Sequence, residues 1–390
     1  MMKYRTSTPY FPKEDIEEIL PKISDILKGK GLLSMGDNVK EFESSFSSFL
    51  GSQEAIATNS CSSALEISLN ALGVGPGDEV IVPAQTFIAT GSSVVRVGAK
   101  PIFCEINKNF LIDFEDLKKK INKHTKAVVI VHFAGLIHED ILNIRQFLNK
   151  KGIFLIEDAA HAIGSSLNGI KAGNFGDLSC FSFFSTKNMT TGEGGMIVSN
   201  NKDLSKLCSS IRNRGLDLDS SFEQFINIGS NNRMTEIQAL LGIYQLKRIQ
   251  EFNLHRNKIA EIYNQELTSF FDLDILSRHI KSKDNISSYW KYWVSLEEGY
   301  FKSSDRIKIK EEMNALSIPI DWAYSPLLHL QPVFKKMYNI SEGYLPVSEE
   351  ISRRHICLPI HALINEEDAV YIIKKFAEIV SRLTQVNNKK

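Results

Sequence analysis

Three stretches of this sequence hold side chains suited to amine chemistry. The first centres on Lys187, in Phe181-Ser-Phe-Phe-Ser-Thr-Lys187-Asn-Met-Thr-Thr-Gly-Glu-Gly-Gly195, a turn between two apolar runs fenced by hydroxyls and glycines. Most lysines are solvated surface charges, but Phe181, Phe183 and Phe184 before this one, and Met196, Ile197 and Val198 after it, predict partial burial. Burial disfavours the ammonium form and draws a lysine down from about 10.4 towards neutrality, where it becomes a usable nucleophile. The second stretch is Ile156-Glu-Asp158-Ala-Ala-His161, which puts a carboxylate at the end of an apolar run. The third is Thr58-Asn-Ser-Cys-Ser-Ser-Ala-Leu, where a strand pattern gives way to a helical one within a few residues. Small hydroxyl residues (Ser60, Ser62, Ser63) at a helix start leave backbone N–H groups open and add side-chain donors, the arrangement that holds a phosphate. Taken alone, they are better explained by ordinary capping by serine, and the balance depends on what else lies at the strand ends.

Taken together, an amine on a turn, a carboxylate, a phosphate cup and an aromatic ring, Phe87, are the groups needed to hold pyridoxal 5′-phosphate (PLP). The lysine forms an imine with the aldehyde. The aspartate keeps the pyridine nitrogen protonated, the aromatic stacks on the ring and the cup anchors the phosphate. A glycine cluster, Gly73-Val-Gly75-Pro-Gly77, superficially suggests a dinucleotide site. Here, however, a helical pattern precedes the glycines and a strand follows, the reverse of the dinucleotide order, so a helix C-cap and turn are expected.

Positioning these groups requires a sheet whose strand ends meet. Short β-rich runs (Glu54–Asn59, Glu79–Pro83, Pro101–Ile106, Ala127–Val131, Ile153–Glu157, Ser179–Phe183, Met196–Ser199) alternate with helical patterns at Ser62–Leu72, Ile88–Val97, Phe114–Asn122 and Ile141–Lys150. Near-continuous apolar strands such as Ala-Val-Val-Ile-Val (127–131) suit a sheet covered on both faces, which predicts an α/β domain with a mostly parallel sheet. Beyond Arg233 the pattern changes to a long helix or helix pair over Met234–Gln265, then shorter elements with an aromatic strand at Tyr289–Leu296 and a final helix. A boundary near residue 250 is expected, dividing a large domain (1–250) from a smaller one (251–390).

Composition removes several classes of function. The 390 residues carry 46 basic and 46 acidic side chains, so the net charge is zero and no strong basic field exists to attract nucleic acid or anionic lipid. No apolar run approaches the length of a membrane span, and Pro9, Pro12 and charges interrupt the start where a signal peptide needs apolar residues. Five scattered cysteines (Cys61, Cys104, Cys180, Cys208, Cys357) suit neither a disulfide framework nor a metal site. A cytoplasmic protein with no metal, nucleic-acid or membrane partner is expected.

With those residues in view, the chain resembles the DegT/DnrJ/EryC1/StrS family of fold-type-I PLP enzymes, mostly sugar aminotransferases, over nearly its whole length. The resemblance is carried by Thr58 to Leu65; Gly75-Pro-Gly-Asp-Glu-Val-Ile-Val-Pro with Thr86-Phe-Ile-Ala-Thr; Ile156 to His161; Phe181 to Gly195; Gly229-Ser-Asn-Asn-Arg-Met-Thr-Glu-Ile-Gln-Ala; and Leu345 to Arg354 with Leu358-Pro-Ile-His. It implies an aspartate-aminotransferase-like fold, with the mostly parallel mixed sheet between helices and a smaller C-terminal α/β domain. It also implies roles. Lys187 would bind the cofactor and shuttle a proton, Asp158 would meet the pyridine nitrogen, and His161 the phenolic oxygen. Cys61 through its N–H, Ser62 and Ser182 would take the phosphate, and Phe87 would stack. Asn231 would reach the phosphate of the neighbouring subunit, making a homodimer part of the active site. Asn232, where the family usually has an aromatic, and Arg214, where it often has His, are departures that bear on the substrate. One family branch has His in place of the lysine and dehydrates sugars; Lys187 argues against that branch.

The reaction so implied moves the amino group of L-glutamate, by way of pyridoxamine phosphate, to a ketone on a nucleotide-linked keto-deoxysugar. The segments Thr190-Thr-Gly-Glu-Gly-Gly and Val131-His-Phe-Ala-Gly135 look more like members acting at C4 than at C3. The alternatives are a C3 enzyme, or one acting on a free ketosugar, a cyclitol or an aminobenzoate precursor. Trp322, Tyr324 and His329 are the candidates for facing the sugar or nucleotide, with core packing as the competing explanation.

Overall fold

Period-two alternation inside the apolar runs builds a sheet with a core on each face. The computed structural model of the protein describes residues 4–278, 284–302 and 304–387. In β4 (Thr125–Val131), Val128 and Ile130 enter one core while Ala127 and Val129 enter the other. The same division separates Leu155 from Ile156 in β5 (Phe154–Asp158). The remaining strands of this sheet are β1 (Glu54–Thr58), β2 (Glu79–Pro83) and β3 (Lys100–Cys104) before these two. After a short hairpin, β6 (Ser166–Leu167) and β7 (Ile170–Lys171), come β8 (Leu178–Ser182) and β9 (Gly195–Ser199). The seven strands lie in the order β1-β9-β8-β5-β4-β2-β3, and only β9 runs antiparallel to its neighbours.

Helices cover both faces. Phe42 and Phe46 from the helix Asp37–Leu50 and Ile144 and Leu148 from Ile141–Asn149 pack into one core. Ala64 and Leu65 from Cys61–Ala71 and Val94 from Ile88–Arg96 pack into the other. This is the α/β architecture with a mostly parallel mixed sheet that the sequence pattern predicts, with strand limits within two residues of expectation. The Gly73–Gly77 segment is the expected helix end and turn, with Gly73 (φ 69°) and Gly77 (φ 93°) left-handed.

The segment Met234–Gln265 is a single helix, Glu236–Glu266, opened by a capping box in which Thr235 and Gln238 satisfy each other's backbone N–H. Its first half contributes Ile243 and Ile249 to the core of the large sheet. Its second half contributes Ile259 and Tyr263 to a separate core under the antiparallel sheet β10 (Leu276–Arg278), β12 (Tyr292–Leu296) and β13 (His355–Leu358). Residue 250 thus lies inside a helix shared by both cores. The strand β11 (Asn285–Ile286) pairs with β6 across the two halves of the chain. The aromatic strand begins at Tyr292 rather than Tyr289, because Tyr289 adopts a left-handed φ of 46° that breaks the extended run.

Candidate active site

Ligands of open α/β sheets bind beyond the carboxyl ends of the strands, and a cavity of about 380 Å³ opens there. Its wall contains Cys61, Ser62, Phe87, Asp158, His161, Ser182 and Lys187, seven of the residues singled out from the sequence. Each arrives by the same local route, a strand that ends and a turn or helix that begins. β1 leads to Ser60, whose hydroxyl caps the helix Cys61–Ala71 by accepting from the Ser63 N–H at 3.1 Å. The N–H groups of a helix's first turn have no intrahelical acceptor, so those of Cys61 and Ser62 are left to a ligand. Phe87 is the N-cap of Ile88–Arg96 and keeps 53% of its surface exposed, unusual for so large an apolar side chain. Asp158 ends β5, Ser182 ends β8, and Lys187 stands on the turn between β8 and β9.

The electrostatics follow from enclosure. Burial is the leading influence on Asp158 and pushes its carboxyl up, against hydrogen bonds from Thr90 Oγ1 to Oδ2 (2.8 Å) and from the Ala160 N–H to Oδ1 (3.2 Å). Burial likewise lowers the Lys187 amine to about 8, with the Asp158 charge opposing the shift. The amine lies 4.2 Å from the ring centre of Trp290, a cation–π geometry. His161 is stacked on the same ring (3.7 Å between centres, 9° between planes). Its Nε2 lies 2.7 Å from the Tyr324 hydroxyl, while its buried Nδ1 has no partner among the described residues. Burial, with the Lys187 charge adding to it, holds this imidazole well below its usual range, hence neutral.

Sequence reasoning missed Trp290. Its ring also fixes the lysine turn, since Nε1–H donates to the Thr186 carbonyl at 3.0 Å. No spacing or motif around it signals a site; it reaches the cavity through the left-handed kink at Tyr289. Tyr324 does reach the cavity, with its ring 5.9 Å from that of Phe87. Trp322 does not line it. Its ring is contacted by the Arg306 guanidinium (4.3 Å) and the Lys310 amine (4.1 Å). His329 does not line it either, being fully buried with Nε2 3.2 Å from Glu349 Oε1. Of the three candidates for facing a sugar, Trp322 and His329 therefore stand outside the cavity lining, held by cation–π contacts and a buried hydrogen bond. Asn231 is exposed and also absent from the cavity wall. Its loop is pinned near the end of β1, with Asn213 bridged to Asn231 and Thr58 to Arg233.

The residues fit PLP. Besides the enclosed carboxylate and amine, the His161 Nδ1 marks a buried polar atom that no described residue satisfies. At Gly195 an added Cβ would stand 2.5 Å from the Cys61 nitrogen, so the absence of a side chain there lets β9 press against the open helix start.

Comparison with known proteins agrees. A family model described as the DegT/DnrJ/EryC1/StrS aminotransferase family matches residues 13–377. GDP-perosamine synthase of Vibrio cholerae is 35% identical over 339 residues, covering 86% of this chain and 89% of that protein. The solved structure of Helicobacter pylori PseC, an aminotransferase involved in the biosynthesis of pseudoaminic acid, is 28% identical with a TM-score of 0.88, covering 97% of this chain and 99% of that one. Spr1654 of Streptococcus pneumoniae, solved in a PLP form, has a TM-score of 0.87 at 26% identity and covers 97% of this chain and 99% of that one.

Proposed function

The chain belongs to the DegT/DnrJ/EryC1/StrS aminotransferase family, and from that premise we propose that it moves the amino group of L-glutamate to the C4 keto carbon of a nucleotide-linked keto-deoxysugar. It is a PLP-dependent aminotransferase of fold type I. The observation that carries the aminotransferase chemistry is the convergence of the Lys187 amine, the Asp158 carboxylate and the open start of the helix Cys61–Ala71 on one cavity. Bound PLP supplies an aldehyde that carries an amino group between two substrates and a protonated ring that withdraws electrons. The protein's own residues do the rest. Asp158 holds the proton at the ring nitrogen. Lys187 Nζ takes a proton from the amino-bearing carbon of the donor and, in the reverse sense, delivers one to the former keto carbon of the acceptor. Neutral His161 meets the phenolic oxygen; Cys61 N–H, Ser62 and Ser182 hold the phosphate; Phe87 covers the ring.

The choice of C4 is supported by Thr190 to Gly195 and Val131 to Gly135, which look like segments of members acting there. Incubation with glutamate and a panel of nucleotide-linked 3-keto and 4-keto sugars, with mass and NMR analysis, tests it. Amination only at C3, or only of free ketosugars, would overturn it.

The working unit in this reading is a homodimer in which Asn231 completes the neighbour's phosphate site, consistent with its exposure and its absence from its own cavity. Mixing Asn231→Ala with Lys187→Ala subunits should then restore activity in heterodimers beyond that of either parent; no restoration would contradict the shared site. All five cysteines are unpaired, which suits a reducing compartment and supports placing the reaction in the cytoplasm.

A further inference from the structure

Asp158 faces an unfavourable setting for a charge. It is buried at 5% exposure, and the titratable groups around it are Lys187, His132, Cys61, Cys180 and Tyr324. His132 is engaged elsewhere, its Nε2 lying 2.8 Å from the buried Glu157 carboxylate. Lys187 favours the carboxylate while its amine is a free cation, but that amine is the group consumed when the cofactor is bound and released when it is exchanged. Support from the protein itself that is present with and without the cofactor must come from groups that do not react.

Two threonines meet that requirement. Thr86 and Thr90 are 3% and 0% exposed, their hydroxyl oxygens are 2.7 Å apart, and Thr90 Oγ1 lies 2.8 Å from Asp158 Oδ2. An ionised carboxylate only accepts hydrogen bonds, so the Thr90 proton is committed to Asp158. Thr90 then has only lone pairs to offer Thr86, so Thr86 donates. The chain Thr86 to Thr90 to Asp158 therefore has one direction, and each link polarises the next. The geometry is set by the segment that places Phe87: Thr86 precedes that residue, and Thr90 stands in the first turn of the helix it caps, its N–H donating to the Phe87 carbonyl at 3.1 Å. The second oxygen, Oδ1, is held by the Ala160 N–H at 3.2 Å.

We infer that the hydroxyl chain Thr86–Thr90 is a positioning device that keeps Asp158 ionised and in one orientation for the ring nitrogen of the bound cofactor. Thr90 does not line the cavity and acts through Asp158; Thr86 lines the cavity and its hydroxyl acts through Thr90. The inference rests on the cofactor assignment and adds residues to it.

The test uses the full-length protein and isotopically labelled PLP, read by the NMR shift of the pyridine nitrogen across the neutral range and by cofactor affinity. Thr90→Val removes the hydroxyl at nearly constant shape and should lose ring protonation at a pH where the parent retains it, with PLP bound about tenfold more weakly, as expected for one hydrogen bond to a charged group. Thr90→Ser restores the donor and should return the parental shift, which a merely volumetric role would not require. Thr86→Val, which does not touch Asp158, should move both readouts in the same direction by about twofold to threefold. A Thr90→Val protein with the parental nitrogen shift and affinity would overturn the inference. Should Thr90→Val not fold, an unchanged Thr86→Val would overturn it and a shifted one would support it. A parent that shows no bound, protonated cofactor would overturn the cofactor assignment along with it.

Discussion

The two walls of the cavity were built by different means. On one side Cys61, Ser62, Phe87, Asp158, Ser182 and Lys187 stand at the ends of strands of a single sheet or on the turns that follow. On the other, Trp290 and Tyr324 come from the C-terminal part of the chain and reach the cavity through left-handed backbone, Tyr289 (φ 46°) in one case and Tyr324 itself (φ 59°) in the other. The first wall is set by local rules, because a strand that ends and a helix that starts fix where the intervening residues point. The second depends on how one core packs on another. The comparison teaches that the part of the cavity at the strand ends can be specified by short motifs, while the part supplied by the C-terminal region is specified only by the assembled fold.

Substitutions on the two walls should separate accordingly. Lys187→Ala should have the largest effect, a loss of turnover of about ten-thousandfold or more, because among the described residues no other amine lies on the cavity wall to replace it. The same residue sets a pH dependence. With its amine lowered to about 8, the ammonium form predominates below that pH and the nucleophilic form above it. Capture of PLP by cofactor-free protein should therefore slow about tenfold for each unit of pH below 8 and level off above it. A rate independent of pH would show that the amine is not held low. Asp158→Asn should come next, with a loss of about a hundredfold or more in turnover but retained cofactor, since the amide cannot hold the ring proton. Near-normal turnover would break the account of that wall.

On the opposite wall, Trp290→Leu removes the face under the Lys187 amine and the bond to Thr186, and should cost about tenfold in turnover. It should also lower the pH at which the lysine titrates, because the ammonium loses its cation–π partner. An unchanged titration would reduce Trp290 to packing. The smallest effects should come from the residues outside the cavity. Trp322→Ala and His329→Gln should leave turnover within about twofold, while His329→Gln costs about 1–3 kcal/mol in denaturant unfolding by disturbing a buried bond to Glu349. A large change in sugar KM in either variant would bring that residue back to the substrate.

What could be read from the sequence follows the same division. The seven strands were visible because each is a short run buried on both faces, and their ends carried Asp158, Ser60 to Ser63 and the Lys187 turn within contiguous stretches. Trp290 was invisible because nothing in Ser288-Tyr-Trp-Lys signals that residue 289 turns left-handed. His329 and Trp322 drew attention by residue type alone, and type does not say which surface a side chain faces; the buried Glu349 and the cations Arg306 and Lys310 were their partners instead. The helix Asp37–Leu50 had no counterpart in the sequence reading, although Val39, Phe42, Phe46 and Leu50 recur at helical spacing on its buried face.

The central claim is that Lys187 is the amine that holds the cofactor. Borohydride reduction of the PLP-loaded protein, followed by peptide mass mapping, tests it directly. The account predicts one stable pyridoxyl adduct, on the peptide containing Lys187, and its loss in Lys187→Ala. An adduct that persists in that variant, or that maps to the neighbouring Lys291, whose amine lies 5.3 Å from the same Trp290 ring, would contradict it.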